Sequence, residues 1–344
     1  MVIGIIGASI SGLIAGKRLA DAGHDVTIIE KNRSLGGRLS TIELDGLNMD
    51  IGISHFNTTS QTFRTFVDDL QKQGVVKEWA DEFSLYDGTE FHNVDPNADP
   101  KMYFVGIKGN QEIARKLSRW VDIKSEEQAG GLTYIGPDRS KKRSWMINLT
   151  DISVFECDAV ILATPAVEAY GIIQTAQNRT ATRKIIRVID EVRHNGRISL
   201  ACTFDHESPE WDAIEVNHKD IQLITNESSK RGSKDQAGLV IHSSHEFFRK
   251  YAQVGDEKTK QALLESASDI VDYSIMQPES IYLHRWKYFE AQNPVDEYFM
   301  ELEMNEAPLA LIGDYFNGSS LDAAFVSGNS LAEYWLNKYS EVTV

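Results

Sequence analysis

The spacing of apolar residues changes period twice within the first thirty positions. Val2-Ile3-Gly4-Ile5-Ile6 is a β-branched run of strand length, and it stops at Gly7-Ala8-Ser9-Ile10-Ser11-Gly12. Leu13, Ile14, Leu19 and Ala20 then recur at helical spacing, and Gly23 stands where a helix C′ residue would sit. Val26-Thr27-Ile28-Ile29 is a second strand-like run ending at Glu30, which completes a β-α-β unit. Further along, Phe63, Phe66, Val67 and Leu70 predict a short amphipathic helix. A strand at Met102–Gly106 precedes a helix over Asn110–Trp120, and Val121–Glu127 reads as another strand. Cys157 to Leu162 is an apolar strand ending in Ala163-Thr164-Pro165. From Ala166 to Met304 strands and helices mix without a repeat, with one polar loop expected over Asn226–Gly238. Ala310 to Asp314 is a last strand, followed by a helix carrying Leu331, Ala332 and Trp335. The basic stretch Asp138–Arg143 lies between two strand-like runs and predicts a solvated hairpin tip.

The length of 344 residues suits two domains, and 42% hydrophobic with 25% charged residues is a globular composition. Acidic residues outnumber basic ones 51 to 35, for a net charge of −16. That balance repels a phosphate backbone and argues against nucleic acid as a partner. Cys157 and Cys202 lie in apolar runs and read as buried thiols, too few for a metal cage, so no metal site is expected. The longest clean apolar stretch, Val2 to Gly16, is too short to span a bilayer, and only Met1 precedes it where a signal peptide would carry basic residues. A cytoplasmic protein without a membrane partner is the expectation.

The β-α-β unit has the parts a dinucleotide needs. Gly7 makes the sharp turn, and Gly12 and Gly16 allow close packing of helix on strand. The amides and dipole at the helix start favour a pyrophosphate. Glu30 ends the second strand, where a carboxylate accepts a hydrogen bond from a ribose 2′-hydroxyl. Ser9 replaces the second glycine of the usual G-x-G-x-x-G; its side chain crowds the phosphate path, while its hydroxyl and that of Ser11 are available as donors.

The segment after Glu30, Lys31-Asn32-Arg33-Ser34-Leu35-Gly36-Gly37-Arg38, resembles the G-G-R extension of the flavoprotein superfamily that includes the amine oxidases. The resemblance implies FAD, with Gly37 backbone near the diphosphate and Arg38 beside it. Leu47 to Phe56 resembles the D-x-G segment that passes the flavin ring, which brings His55 and Phe56 to the cofactor. By the same resemblance the strand ending at Glu127 lies by the adenine. Ala163-Thr164-Pro165 corresponds to an A-T-G corner, with Pro165 in place of glycine. Gly313-Asp314 and Asn317 to Gly328 resemble the closing flavin motif: Asp314 would hold the ribityl or pyrophosphate, and a helix starting near Leu321, Ala323 and Ala324 would face the flavin N1–C2=O edge. Ala323 stands where the family often has glycine. No cysteine follows Cys202, so the FAD is expected to be noncovalent.

Within that superfamily, Leu239 to Ser244, Leu283 to Tyr288 and the Ser-Leu-Asp-Ala-Ala-Phe run (Ser320 to Phe325) resemble renalase and its bacterial relatives. The activity implied is oxidation of dihydro-isomers of NAD(P) by hydride transfer to the flavin, with O2 as acceptor giving hydrogen peroxide. His242, His284, Trp286 and Tyr315 are the substrate-pocket candidates, and no catalytic acid or base stands out. Three alternatives remain: an amine oxidase, although the lysine such enzymes keep at flavin N5 has no evident counterpart; a desaturase; and a flavin- or nucleotide-binding regulator without turnover. The expected fold is α/β, a Rossmann-like FAD domain with an α+β substrate domain on a mixed sheet. The FAD domain would be discontinuous, over 1–55, 101–166 and 305–344, and the substrate domain would take 56–100 and 167–304.

Overall fold

The structure is a computed structural model, and it describes residues 1–94, 101–136, 143–176, 179–271, 273–302 and 307–339. The β-α-β unit forms as the pattern requires: β1 (Val2–Ile6), α1 (Ile10–Asp21) and β2 (Asp25–Glu30). β1 pairs parallel with β2 and with Ala159–Leu162. β2 pairs parallel with Asp122–Ser125. Leu309–Leu311 extends the parallel sheet beyond Ala159–Leu162, and Met300–Leu302 closes that edge antiparallel. Residues from both ends of the chain therefore meet in one six-stranded sheet.

The unbroken apolar runs of these strands have a simple cause, because both faces of the sheet are covered. Ile3, Ile5, Ile28 and Ile161 point to a core shared with α1, Gln61–Lys72, Gln111–Leu117 and Leu321–Tyr339. Ile6, Ile29, Val160 and Leu162 point to a second core, made with the three-stranded sheet Ala129–Tyr134, Trp145–Leu149, Val154–Cys157 and the helices Ala166–Ile173 and Arg179–Glu191. The turn between the first two of those strands carries the basic stretch, which lies outside the described residues except for Arg143; that side chain pairs with Asp158 at 2.7 Å.

A second, seven-stranded mixed sheet runs in the order Ser280–Ala291, His194–Phe204, Ala237–Ser243, Ile221–Asn226, Ala213–Val216, Ser84–Tyr86, Phe91–His92. Ile198, Leu200, Cys202 and Phe204 face a core closed by His245–Tyr251 and Asp256–Ser268. The alternate residues face the first unit, where Ala201 and Val240 pack on Leu47, Met49 and Ile51.

Packing places the border between the two units differently from the expected ranges. Gln61–Lys72 buries Phe63, Val67 and Leu70 in the first core, and Ala166–Glu191 contributes Ala166, Ile173, Ile185 and Ile189 to the second. Both stretches belong to the cores that flank the six-stranded sheet, and Met300–Leu302 is one of its strands. The expected loop at Asn226–Gly238 is also different. Asn226 caps a short buried helix, Glu227–Arg231, which Gly232 ends in the left-handed conformation. Its polar residues are inside because they satisfy one another, a pairing invisible to hydropathy.

Candidate functional site

One cavity of about 1290 Å3 lies between the carboxyl ends of the parallel strands and the exposed face of the seven-stranded sheet. Ligands of open α/β sheets bind at those carboxyl ends. The first wall is the β1–α1 turn. Gly7 has φ +103°, and a side chain there would meet the Ala163 carbonyl at 2.8 Å. Gly12 does not line the cavity; its absent Cβ lets α1 approach Gly7 O, which a methyl would meet at 2.3 Å. Ser9 turns back on the protein, donating to Ala163 O at 2.9 Å and capping Gly12 N. Its side chain is thereby drawn off the anion path, which leaves the first-turn amides of Ile10 and Ser11 without helical acceptors.

Glu30 is buried and already engaged. Oε2 accepts from Ala8 N at 2.8 Å, and Oε1 accepts from Asn32 N at 2.9 Å and Asn32 Nδ2 at 3.0 Å. Remaining lone pairs face the cavity, so one carboxylate shapes the turn and can also receive a ribose hydroxyl. Lys31 pairs with Glu168 at the rim, 2.7 Å apart. Gly37, at φ +55°, has open space where a side chain would be.

Arg38 and Asp314, 276 residues apart, meet in a bidentate pair with both contacts at 2.6 Å, and Arg38 also donates to Phe289 O. Burial disfavours the guanidinium charge, but Asp314, with the charge of Glu168, more than offsets it and holds the Arg38 pKa above its ordinary value. Leu321 and Ala324 reach the cavity from the first turn of the C-terminal helix, whereas Ala323 lies behind them. Asp322 turns the other way and accepts from Thr59 N and Ser60 N, both at 2.7 Å, fastening that helix to the segment after Phe56.

Among the described residues, three that line the cavity each have a buried polar atom without a hydrogen-bond partner: Arg285 Nε on the second sheet, and Thr164 Oγ1 and Glu127 Oε2 on the side of the parallel strands. Buried polar atoms are rarely left so. With the open face at Gly37 and the free helix-start amides, Thr164 and Glu127 make a cradle that fits an extended, polar dinucleotide such as FAD.

The opposite wall comes from the second sheet. In the register, Trp286 stands opposite Arg197, and the next row holds His284, Ser199, His242 and Leu223. Trp286 lines the cavity and anchors its indole by donating to Ile51 O at 2.9 Å. His284 packs beside it at a tilt of 52°, ring centres 4.1 Å apart, but is not part of the cavity wall.

His242 and Tyr315 do not reach the cavity. His242 faces the correct side of its strand but lies one row in, fully buried and bonded to Ser199 Oγ at 3.1 Å. Burial, with the charges of Arg197 and Lys230, pushes its pKa well below the usual value, so the ring is neutral. Tyr315 is buried in the second core against Phe316 and His194, where burial and Asp314 raise its pKa.

His55 does line the cavity, backed by Phe83 and Tyr103 with ring centres at 4.8 and 4.9 Å. Burial, then the charges of Lys230 and Arg197, lowers its pKa to about 3. Phe56 lines the wall beside it, its backbone paired with Phe104.

Sequence reasoning missed a buried charge quartet beside this wall. Lys230 Nζ donates to Glu227 Oε1 at 2.6 Å and to Ser54 O at 2.8 Å. Arg231 reaches Asp50 Oδ2 at 2.7 Å and the Asn48 and Gly106 carbonyls at 3.0 Å. Two cations balance two carboxylates with almost no solvent access. Arg197 was missed too, although it is the one Lys, Arg, Asp or Glu in the strand His194–Phe204 and so was a readable signal.

Fold and site together define a two-unit protein that presents a dinucleotide cradle to a second, aromatic-lined chamber. The sequence pattern of the NAD(P)-binding Rossmann-like domain matches residues 5–70. Among curated proteins, the chain is 48% identical over 52 residues to 4,4'-diapophytoene desaturase (4,4'-diaponeurosporene-forming) from Staphylococcus aureus, a match covering 15% of this chain and 10% of the desaturase. Among solved structures, a provisionally assigned protoporphyrinogen oxidase from Exiguobacterium sp. 255-15 superposes with a TM-score of 0.72 at 12% identity, over 98% of this chain and 99% of the other. Wild-type putrescine oxidase bound to putrescine gives 0.68 at 13% identity, over 98% and 99%. An oxidoreductase from Methanosarcina mazei gives 0.68 at 12%, over 97% and 100%. At these identities the likenesses establish the fold alone.

Proposed function

We propose that the chain is an FAD-dependent oxidase that takes a hydride from dihydro-isomers of NAD(P), in the manner of renalase, with oxygen as the electron acceptor. The observation that carries the reading is the single continuous cavity. At about 1290 Å3 it exceeds the roughly 300–1,000 Å3 of an ordinary small-molecule pocket, which leaves room for a second planar ligand beside a dinucleotide. When bound, FAD would accept the hydride and pass the electrons to oxygen as hydrogen peroxide. Gly7, Gly37, Thr164 and the start of α1 would hold its diphosphate, and Glu30 its adenosine ribose. Asp314, oriented by Arg38, would hold the ribityl chain. The helix start at Leu321–Ala324 would favour negative charge near the flavin ring.

The remaining residues shape the substrate. A dihydronicotinamide isomer regains aromaticity when hydride leaves, so no proton need be removed by the protein. The chamber matches that demand: His55 is held neutral and Trp286 is pinned to Ile51 O, which makes them packing and hydrogen-bonding walls. Their task is to keep the donor carbon within about 3–3.5 Å of its acceptor. Amine oxidation is less favoured by the chain's own residues. The buried Lys230 commits its ammonium to Glu227 and Ser54 O and does not line the cavity.

The test is anaerobic mixing of the yellow protein with dihydro-isomers of NAD(P), with amines such as putrescine, and with a carotenoid precursor. Bleaching by the first class alone supports the proposal. Bleaching by amines or the precursor replaces it with that chemistry, and no bleaching by any class favours a binding regulator. On denaturation the colour is expected in the supernatant; colour retained on the precipitated chain contradicts noncovalent FAD.

A further inference from the structure

We infer that Arg197 is an oxyanion subsite at the substrate end of the cavity, so the preferred substrate carries a phosphate or carboxylate on the portion that bears the reacting ring. The inference rests on the proposed reading of the cavity and adds what the second ligand must bear.

Arg197 borders the main cavity and also a side pocket of about 210 Å3 that shares Gln222, Phe289 and Glu290 with it. The guanidinium lies 3.9 Å from the Phe289 ring centre, which fixes its plane. One edge donates to Gln222 Oε1 at 2.7 Å. Among the described residues no carboxylate comes within ion-pair distance of it, in contrast to Arg38 on Asp314, Arg231 on Asp50 and Arg285 on Asp256. Glu290 is felt only at longer range, and burial outweighs it, lowering the Arg197 pKa to about 10. The group remains fully charged at neutral pH.

A protein of net charge −16 has carboxylates to spare, so a half-buried guanidinium on a cavity wall with no carboxylate against it is poorly compensated unless a ligand supplies the counter-charge. Guanidinium offers five donors in a fixed fork suited to bidentate phosphate or carboxylate. Stacking on Phe289 occupies a face of the guanidinium and leaves its N–H groups beyond the Gln222 bond for that contact. Trp286, directly opposite Arg197 in the strand register, sets the planar part of the ligand within reach of the same subsite.

The experiment is isothermal titration calorimetry on the FAD-loaded protein with two matched pairs: nicotinamide mononucleotide against nicotinamide riboside, and benzoate against benzyl alcohol. In each pair only the oxyanion differs materially. The anionic member is expected to bind about ten- to a hundredfold more tightly, the worth of a charge-assisted hydrogen bond. Arg197→Gln should abolish that preference while leaving the riboside and the alcohol unchanged, and Arg197→Lys should restore part of it, since lysine keeps charge without the fork. In the unmodified protein the preference should also shrink as salt rises, a readout that needs no variant. Preference for benzoate with no binding of either nicotinamide compound keeps the subsite and overturns the nucleotide reading. Equal binding within both pairs, or a preference that survives Arg197→Gln, overturns the subsite.

Discussion

Replacing Lys230 with methionine tests whether the buried quartet is an energetic unit. Lys230, Asp50 and Glu227 are fully buried, and Arg231 is 9% exposed. Lys230→Met keeps the length of the side chain but strips Glu227 Oε1 of its cation, leaving Thr225 Oγ1 as donor at 2.7 Å, and leaves Ser54 O without the ammonium. Breaking a buried pair from one side costs about 3–5 kcal/mol, because the other charge stays uncompensated. Against a typical total of about 5–15 kcal/mol that is a large fraction. Glu227→Gln alone removes the 2.6 Å carboxylate partner of Lys230 and leaves it only Asp50 Oδ2 at 3.8 Å. The double variant removes both ions, so its loss should fall short of the summed single losses by more than about 1 kcal/mol. Urea unfolding followed by tryptophan fluorescence gives these values, provided the slope with denaturant is the same for all four proteins. A Lys230→Met loss below about 1 kcal/mol, or single losses that add within about 0.5 kcal/mol, would refute the reasoning.

Two glycines predict opposite signs. At Gly328 a methyl would lie 2.3 Å from Ser11 O, so Gly328→Ala should force the C-terminal helix off α1 and cost about 1–3 kcal/mol. Gly171 lies within a helix with nothing inside 4 Å of the methyl, so Gly171→Ala should stabilise by up to about 1 kcal/mol. Thermal midpoints moving in the same direction would contradict the pair. Stability should also fall on acidification. His55, with a folded pKa of about 3 against 6.5 unfolded, leaves the unfolded chain binding more protons between those values, and His194, His242 and His284 are shifted in the same direction. The urea midpoint should therefore drop as pH goes from about 6.5 towards 3, with a shallower slope in His55→Gln; a midpoint constant over that range would exclude buried neutral histidines as the cause.

Local order carried far in this chain. The change of period at Gly7 and Gly23, the apolar runs of β1, β2 and Ala159–Leu162, and the carboxylate at Glu30 are near-neighbour features, and backbone sterics and burial on both sheet faces translate them directly into a dinucleotide-binding unit. Strand alternation also put His284 and Trp286 on one face, as the sheet register has them. Alternation says nothing about rows, however, and the row decides: Trp286 lines the cavity while His242 lies one row in, bonded to Ser199 Oγ. Nor can a one-dimensional pattern pair Arg38 with Asp314, or show that the polar run after Asn226 is buried because Lys230 and Arg231 meet carboxylates at Asp50 and Glu227. Hydropathy scores each residue alone, whereas the cost of burying a charge depends on its partner. Those partners are separated by up to 276 residues, and only the folded chain brings them within 3 Å.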